Sequence, residues 1–271
     1  SDNGVVHEMS TNSTTLVTST TLNYNTTIKD KHTITALVGF EAEDKDTRFM
    51  RATGKNLPSS SLHTVVTAGT LDANAYYWGN SIVSVLSRAE YNYDNKYYFS
   101  ASYRRDGSSR LGPDSRWGDF WSVSGSWRFS NEKFLEDVEW LNDGKLRASY
   151  GTSGTLPSDR FGYMSLYDYW VYGGEGASYP SSLANSDLTW EKTDQYNIGI
   201  DAAFLRKRLN VTAEAYYSRT TDLLLKVEIP SQTGFESRYE NIGESITVYG
   251  AMSIADKIIE LKRNSRLTIK N

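Results

Sequence analysis

Residues 121–130 read Trp121-Ser122-Val123-Ser124-Gly125-Ser126-Trp127-Arg128-Phe129-Ser130. One face carries Trp121, Val123, Gly125, Trp127 and Phe129; the other carries Ser122, Ser124, Ser126, Arg128 and Ser130. Helical spacing would scatter these positions around an axis, whereas a strand sends successive side chains to opposite faces. The stretch is therefore a strand with one apolar and one hydroxyl-rich face.

The same period runs outward along the chain. Val83, Val85, Ala89, Tyr91 and Tyr93 alternate with Ser84, Arg88, Glu90 and Asn92, and Tyr97, Phe99, Ala101 and Tyr103 alternate with Tyr98, Ser100, Ser102 and Arg104. Tyr196, Ile198, Ile200, Ala202 and Phe204 form another apolar row, as do Leu209, Val211, Ala213, Ala215 and Tyr217. Ile34, Ala36, Val38 and Phe40 share a face, and so do Leu146, Ala148 and Tyr150. With weaker segments at 15–28, 239–255 and 264–270, the pattern predicts about ten strands.

Two classes of connection separate them. Tight turns are predicted at Lys29-Asp30, Asp94-Asn95 and Arg206-Lys207. Polar, Gly- and Ser-containing loops are predicted at roughly 44–79, 105–116, 151–188 and 219–238. Ser130-Asn131-Glu132-Lys133 predicts a cap and first turn of a short helix within 131–143. In an up-and-down arrangement all tight turns fall at one end and all long loops at the other, the asymmetry of outer-membrane barrels.

Composition bears on the medium. The 271 residues include 19 Tyr, carry a net charge of −4 and contain no cysteine. Disulfides and thiolate metal sites are thereby excluded, and the acidic balance argues against a nucleic-acid partner. A mean hydropathy of −0.54 and apolar runs no longer than a few residues leave nothing for a membrane-spanning helix, which needs roughly 20 apolar residues. A barrel escapes that limit, because half of each strand faces the lumen. Strands of ten or more residues match the roughly 9–11 that cross a bilayer at a tilt, and Tyr and Trp near strand ends resemble interfacial girdles. On these residues alone a soluble β-rich binding module and a passive porin-like barrel stay open beside a membrane wall. Ser1-Asp2-Asn3-Gly4 is not a secretory signal, and we expect an excerpt of a longer protein.

Five strings go further: SYRRDGSSRLGPDSRWGDFWSVSGSWRFSNEKFL at 102–135, WLNDGKLRASYGTSG at 140–154, LANSDLTWEKTDQYNIGID at 183–201, DLLLKVEIPSQTGF at 222–235 and NIGE at 241–244. In order and spacing they closely resemble the barrel of the SusC/RagA group of TonB-dependent outer-membrane transporters, most clearly over 80–245. The resemblance implies an all-β, antiparallel up-and-down transmembrane barrel of which residues 1–271 are a portion, multi-pass in the outer membrane of a Gram-negative bacterium and in contact with its lipid. For the full-length protein it implies energised uptake of oligosaccharide or peptide cargo, with a SusD-like surface lipoprotein and the TonB complex as partners. It implies no enzyme activity and no cofactor. No plug domain or TonB-contacting segment is recognisable, and the text after Glu244 departs from the group's pattern.

Candidate contacts with cargo fall in the longest loop and at Arg104–Arg110, where a strand ends and a loop begins; loops carry function disproportionately. Tyr163, Tyr167, Tyr169, Trp170 and Tyr172 concentrate in the longest loop, where aromatic faces stack on sugar rings or peptide side chains; packing among themselves or against a lid protein is the bland alternative. Arg104 and Arg105 offer forked donors for an anionic or hydroxyl-rich ligand, against a local Arg105–Asp106 pair with Gly107 making the turn. Gly173-Gly174-Glu175-Gly176 lacks the strand and helix context of a phosphate loop. His7, His32 and His63 have no metal-ligand spacing. Asp201 and Glu214 are expected to line a solvated lumen and not to form a glycosidase pair.

Overall fold

The computed structural model describes residues 4–59, 61–254 and 257–268, with side chains described through residue 253. Fourteen strands are present among them: β1 Val5–Ile28, β2 His32–Lys55, β3 Thr70–Tyr93, β4 Tyr97–Ser108, β5 Trp117–Trp127, β6 Leu141–Thr155, β7 Leu166–Tyr172, β8 Glu175–Ser182, β9 Glu191–Phe204, β10 Leu209–Thr221, β11 Leu224–Glu228, β12 Ser237–Asn241, β13 Glu244–Ile254 and β14 Lys257–Thr268. Ten form one sheet in the order β1-β2-β3-β4-β5-β6-β9-β10-β13-β14, and β7–β8 and β11–β12 are separate hairpins. Every pairing from β4 to β14 in this sheet is antiparallel, so the chain meanders up and down. The ten predicted wall strands are thus present in sequence order.

The tight turns have a physical cause. Lys29 and Asp30, Asp94 and Asn95, and Leu205, Arg206 and Lys207 all hold positive φ, the left-handed backbone that matches the right-handed twist of flanking strands. At the second turn the Asn95 amide donates to Asn92 Oδ1 at 3.1 Å, and Asn92 Nδ2 donates to Asn95 Oδ1 at 2.9 Å. Short polar side chains thereby replace the hydrogen bonds the backbone gives up.

The chain divides into two compact units, Ser1–Thr18 with Glu41–Ile82 and Ser19–Phe40 with Val83–Asn271. In the first, β2 and β3 run through most of the region predicted as the loop 44–79, leaving only 56–69 between them, with a 3-10 turn at Val65–Thr67. Alternation disappears there because both faces become polar. The pairing rests instead on Ser13–Thr47 and His7–Thr53 hydrogen bonds, Tyr77 Oη donating to Asp46, and a Phe49–Tyr76–Trp78 stack.

In the second unit three expectations change. Between β5 and β6 the predicted helix is two 3-10 turns, Phe129–Asn131 and Lys133–Leu135. Ser130 caps nothing and donates to Asp143 at 3.2 Å. Phe129 leaves the strand, and its ring fills the space where a Cβ on Gly144 would sit. The loops 151–188 and 219–238 each contain a hairpin, β7–β8 and β11–β12. Positions 269–270 of the predicted last strand lie outside the described residues.

Candidate functional site

Among the described residues nothing covers the apolar rows. In the second unit Val38 is 53% exposed, Phe99 57%, Val123 44% and Ile198 56%. Register places Phe99, Val123 and Ile198 in continuous bands: Phe99–Gly125–Ala148–Ile198–Ala215–Gly250 and Ala101–Val123–Tyr150–Tyr196–Tyr217–Val248. A water-soluble sheet would hide such a surface. Polar pairs bound this band at the long-loop end of each strand. Tyr103 donates to Asp119, which also meets Arg105 at 3.5 Å; Tyr150 donates to Asp194 at 2.8 Å; Arg219 meets Glu244 at 2.6 Å. At the tight-turn end, Tyr97 and Trp127 are register partners that both donate to Glu132, at 2.6 and 3.1 Å. Those two hydrogen bonds, with Lys96 close by, hold the Glu132 carboxyl below its ordinary range. Aromatic rings with an apolar body and a satisfied polar tip suit a membrane–water boundary.

The opposite face is polar and internally satisfied. Ser100 pairs with Ser124 at 3.0 Å and Ser102 with Ser122 at 2.7 Å. Arg147 spans three strands, meeting Asp201 at 3.1 Å and Glu214 at 2.9 Å. It lies over Gly199, where a Cβ would come within 2.7 Å of the guanidinium carbon. Asp201 and Glu214 therefore share one cation and form no acid/base pair. Lys145 sits 5.3 Å over the Tyr98 ring, and a concavity of about 520 Å³ on this face is lined by Arg88, Glu90, Tyr98, Ser124, Lys145 and Arg147 among others. These are the features of a wetted lumen wall.

Above the wall the loops share a small core. Leu111, Phe120, Leu188 and Trp190 are buried together, with Leu156, Leu224 and Tyr239 packed against them. Phe120 and Trp190 meet edge-on at 5.4 Å, and Trp190 Nε1 donates to the Arg116 carbonyl at 3.2 Å. Asn241 stitches two segments, accepting from the Thr189 amide at 2.9 Å and donating to the Thr189 and Asp222 carbonyls at 3.0 and 2.9 Å. Asn185 donates to the Tyr239 carbonyl at 2.7 Å.

The candidate cargo contacts are dispersed by this arrangement. Arg104 and Arg105 stand on β4, which runs on to Ser108, and point to opposite faces. Arg104 bonds Asp106 at 2.7 Å and Ser84 at 2.9 Å, whereas Arg105 lies over Trp117 at 5.4 Å on the apolar side. Asp106 therefore pairs with Arg104 and not with Arg105, whose acid partner is Asp119. Tyr167 and Tyr169 fall on one side of the β7–β8 hairpin, Trp170 and Tyr172 on the other, all exposed; Tyr163 is half-buried below. Missing from the sequence reading is a cleft of about 370 Å³ between the two loop hairpins, which Asp159, Asp168, Tyr179, Lys226, Arg238 and Tyr239 help to line. No local signal marks it, because register within two separate hairpins brings these residues together.

The sequence profile described as "TonB dependent receptor-like, beta-barrel" matches residues 2–251. The chain belongs to that family. It is 37% identical to a TonB-dependent receptor of Formosa agariphila over 258 residues, 91% of this chain and 24% of the relative. It is 38% identical over 191 residues to the TonB-dependent receptor SusC of Bacteroides thetaiotaomicron, 66% of this chain and 19% of the relative. Among solved structures, the RagAB peptide transporter superposes with a TM-score of 0.84 at 29% identity, covering 92% of this chain and 28% of that one. The RagAB peptide importer in its closed-closed state superposes at 0.86 with 26% identity, over 97% of this chain and 31% of that one. The chain spans about a quarter of the relatives' length, and its ten-stranded sheet is part of an outer-membrane barrel of the SusC/RagA type. That assignment closes the soluble-module alternative.

Proposed function

We propose that this chain supplies part of the wall and extracellular loops of a TonB-dependent importer that draws oligosaccharides or peptides across the outer membrane. The observation that carries the reading is the two-faced sheet, apolar and uncovered on one side, ionically satisfied on the other, within a family named for TonB dependence. Relatives named SusC and RagAB support a surface lipoprotein of the SusD/RagB kind as the partner over the loops, and no catalytic role is assigned to the chain. The aromatic β7–β8 hairpin, with Tyr163 at its base, is the segment we assign to cargo or lid contact; Arg104 is placed in the wall and Arg105 at the membrane boundary.

The test is uptake by cells carrying the full-length gene. Deleting the gene should abolish uptake of a defined oligosaccharide or peptide pool, and removing TonB should abolish it equally. Uptake that persists without TonB would instead mark a passive porin.

A further inference from the structure

The cleft between the loop hairpins has a charge arrangement that the wall does not need. Within β7–β8, Asp168 is the register partner of Tyr179; within β11–β12, Lys226 is the register partner of Tyr239. Each of these pairs sets one charge beside one tyrosine, and the two charges differ in sign. Of the other charged lining groups, Asp159 accepts from the Phe161 amide at 2.9 Å, Arg238 is held by Glu240 at 2.6 Å, and Glu236 adds a further carboxylate. Asp168 and Lys226 have no side-chain partner among the described residues.

Asp168 and Lys226, opposite in sign within one cleft, select a ligand by its charges. A neutral sugar covering them would leave both without a counter-charge, which costs free energy. An acidic saccharide would gain Lys226 but meet Asp159, Asp168 and Glu236 as like charges, the repulsive half of specificity. A zwitterion satisfies both, and the tyrosines offer apolar faces between the two ends. We propose that this cleft binds a short peptide with free termini, its ammonium at Asp168 and its carboxylate at Lys226. A volume near 370 Å³ lies at the small end of ligand pockets and suits a few residues. The proposal rests on the import reading above and narrows its cargo to peptides.

Calorimetric titration of the detergent-purified full-length protein tests it. The probes are the tetrapeptide alanyl-phenylalanyl-glycyl-leucine, its N-acetylated and C-amidated forms, maltohexaose and trigalacturonate. The free tetrapeptide should bind, and acetylation or amidation should each weaken binding about 10-fold, the scale of one lost charge-assisted contact. Asp168→Asn should weaken the free peptide to the same extent yet leave the acetylated one unchanged; Lys226→Met should do the same for the amidated one. Native migration of unheated protein checks folding, and the blocked peptides on the unmodified protein decide the matter even if a variant misfolds. Indifference to both blocks would overturn the proposal, as would trigalacturonate binding that falls with Lys226→Met and rises with Asp168→Asn. If only a saccharide binds, the importer stands and the peptide cleft falls. If neither class binds and deletion leaves uptake intact, both readings fall.

Discussion

Ile198→Arg isolates the medium against the apolar face. Ten residue steps separate Asp194, in the polar boundary, from Phe204 at the tight turn. At roughly 3.3 Å per residue and a tilt near 45° they project to roughly 23 Å, close to the ~25 Å apolar band of outer-membrane barrels. Ile198 lies four steps below Asp194, roughly 9 Å down and within roughly 3 Å of the midplane. Arginine there should cost about 2–4 kcal/mol, equivalent to roughly 30- to 700-fold in the folding equilibrium. The adjacent Asn197 faces the polar side between Ser149 and Tyr216, so Asn197→Arg should cost no more than about 1 kcal/mol. Urea titration of the full-length protein folding into lipid vesicles measures both. Equal losses at the two positions, or a loss at Ile198 under about 0.5 kcal/mol, would refute a lipid-facing row.

Gly199→Val would push its side chain into Arg147 and separate the guanidinium from Glu214. The expected cost is about 1–3 kcal/mol in the same assay, and an Ala variant should cost less. Trp190→Ala should remove about 3–5 kcal/mol from the loop core; cleavage by a non-specific protease should then appear in 156–190 and 222–243 while the wall stays intact. Glu132 gives a pH signature. Its folded-state pKa lies below the ordinary value of 4.5, so its contribution is fully present above that value and is lost as pH falls through the depressed one. The urea midpoint of the unmodified protein should therefore exceed that of Glu132→Gln at pH 7, and the gap should close on acidification below pH 4.5. A constant gap would place the effect in packing and not in charge.

The wall was legible wherever its two faces face different media. Trp121, Val123 and Trp127 against Ser122, Ser124 and Ser126 announce a strand because lipid selects one set and water the other. Beyond Asp44 on β2 water bathes both faces, alternation vanishes, and the strands continue unread to Lys55. The turns at Asp94-Asn95 and Lys29-Asp30 were readable because left-handed backbone favours small polar residues. Phe129 was misplaced into the strand because its apolar character fits either the row or the turn that folds it over Gly144. The loop hairpins escaped for another reason: the aromatic residues of β7 are exposed on both sides, so no period distinguishes them from a loop. The Asp168–Lys226 cleft was not legible at all, since neither residue has a local partner that would single it out.

The strings that carry the family resemblance explain why fold and cargo part company in this sequence. Trp190, Asn185 and Asn241 fall within them, and their side chains hold the loop bases together through one ring packing and a handful of backbone hydrogen bonds. Gly199 and Asp201 fall there too, clearing and anchoring Arg147 on the wall. Of the cleft residues, Asp168, Tyr179 and Arg238 lie outside the strings and Lys226 lies inside one, all on hairpins that stand on those bases. A residue that stitches the base acts on whether the hairpins are held at all, because its loss leaves buried carbonyls and amides unpaired. Asp168 and Lys226 act on what is held, because their loss removes no side-chain hydrogen bond among the described residues. Asn241→Ala should accordingly weaken binding of every probe and loosen both hairpins, whereas Lys226→Met should discriminate among probes and loosen neither. Under the proposed peptide site, wall and stitches can stay fixed while the ligand changes with a few hairpin side chains.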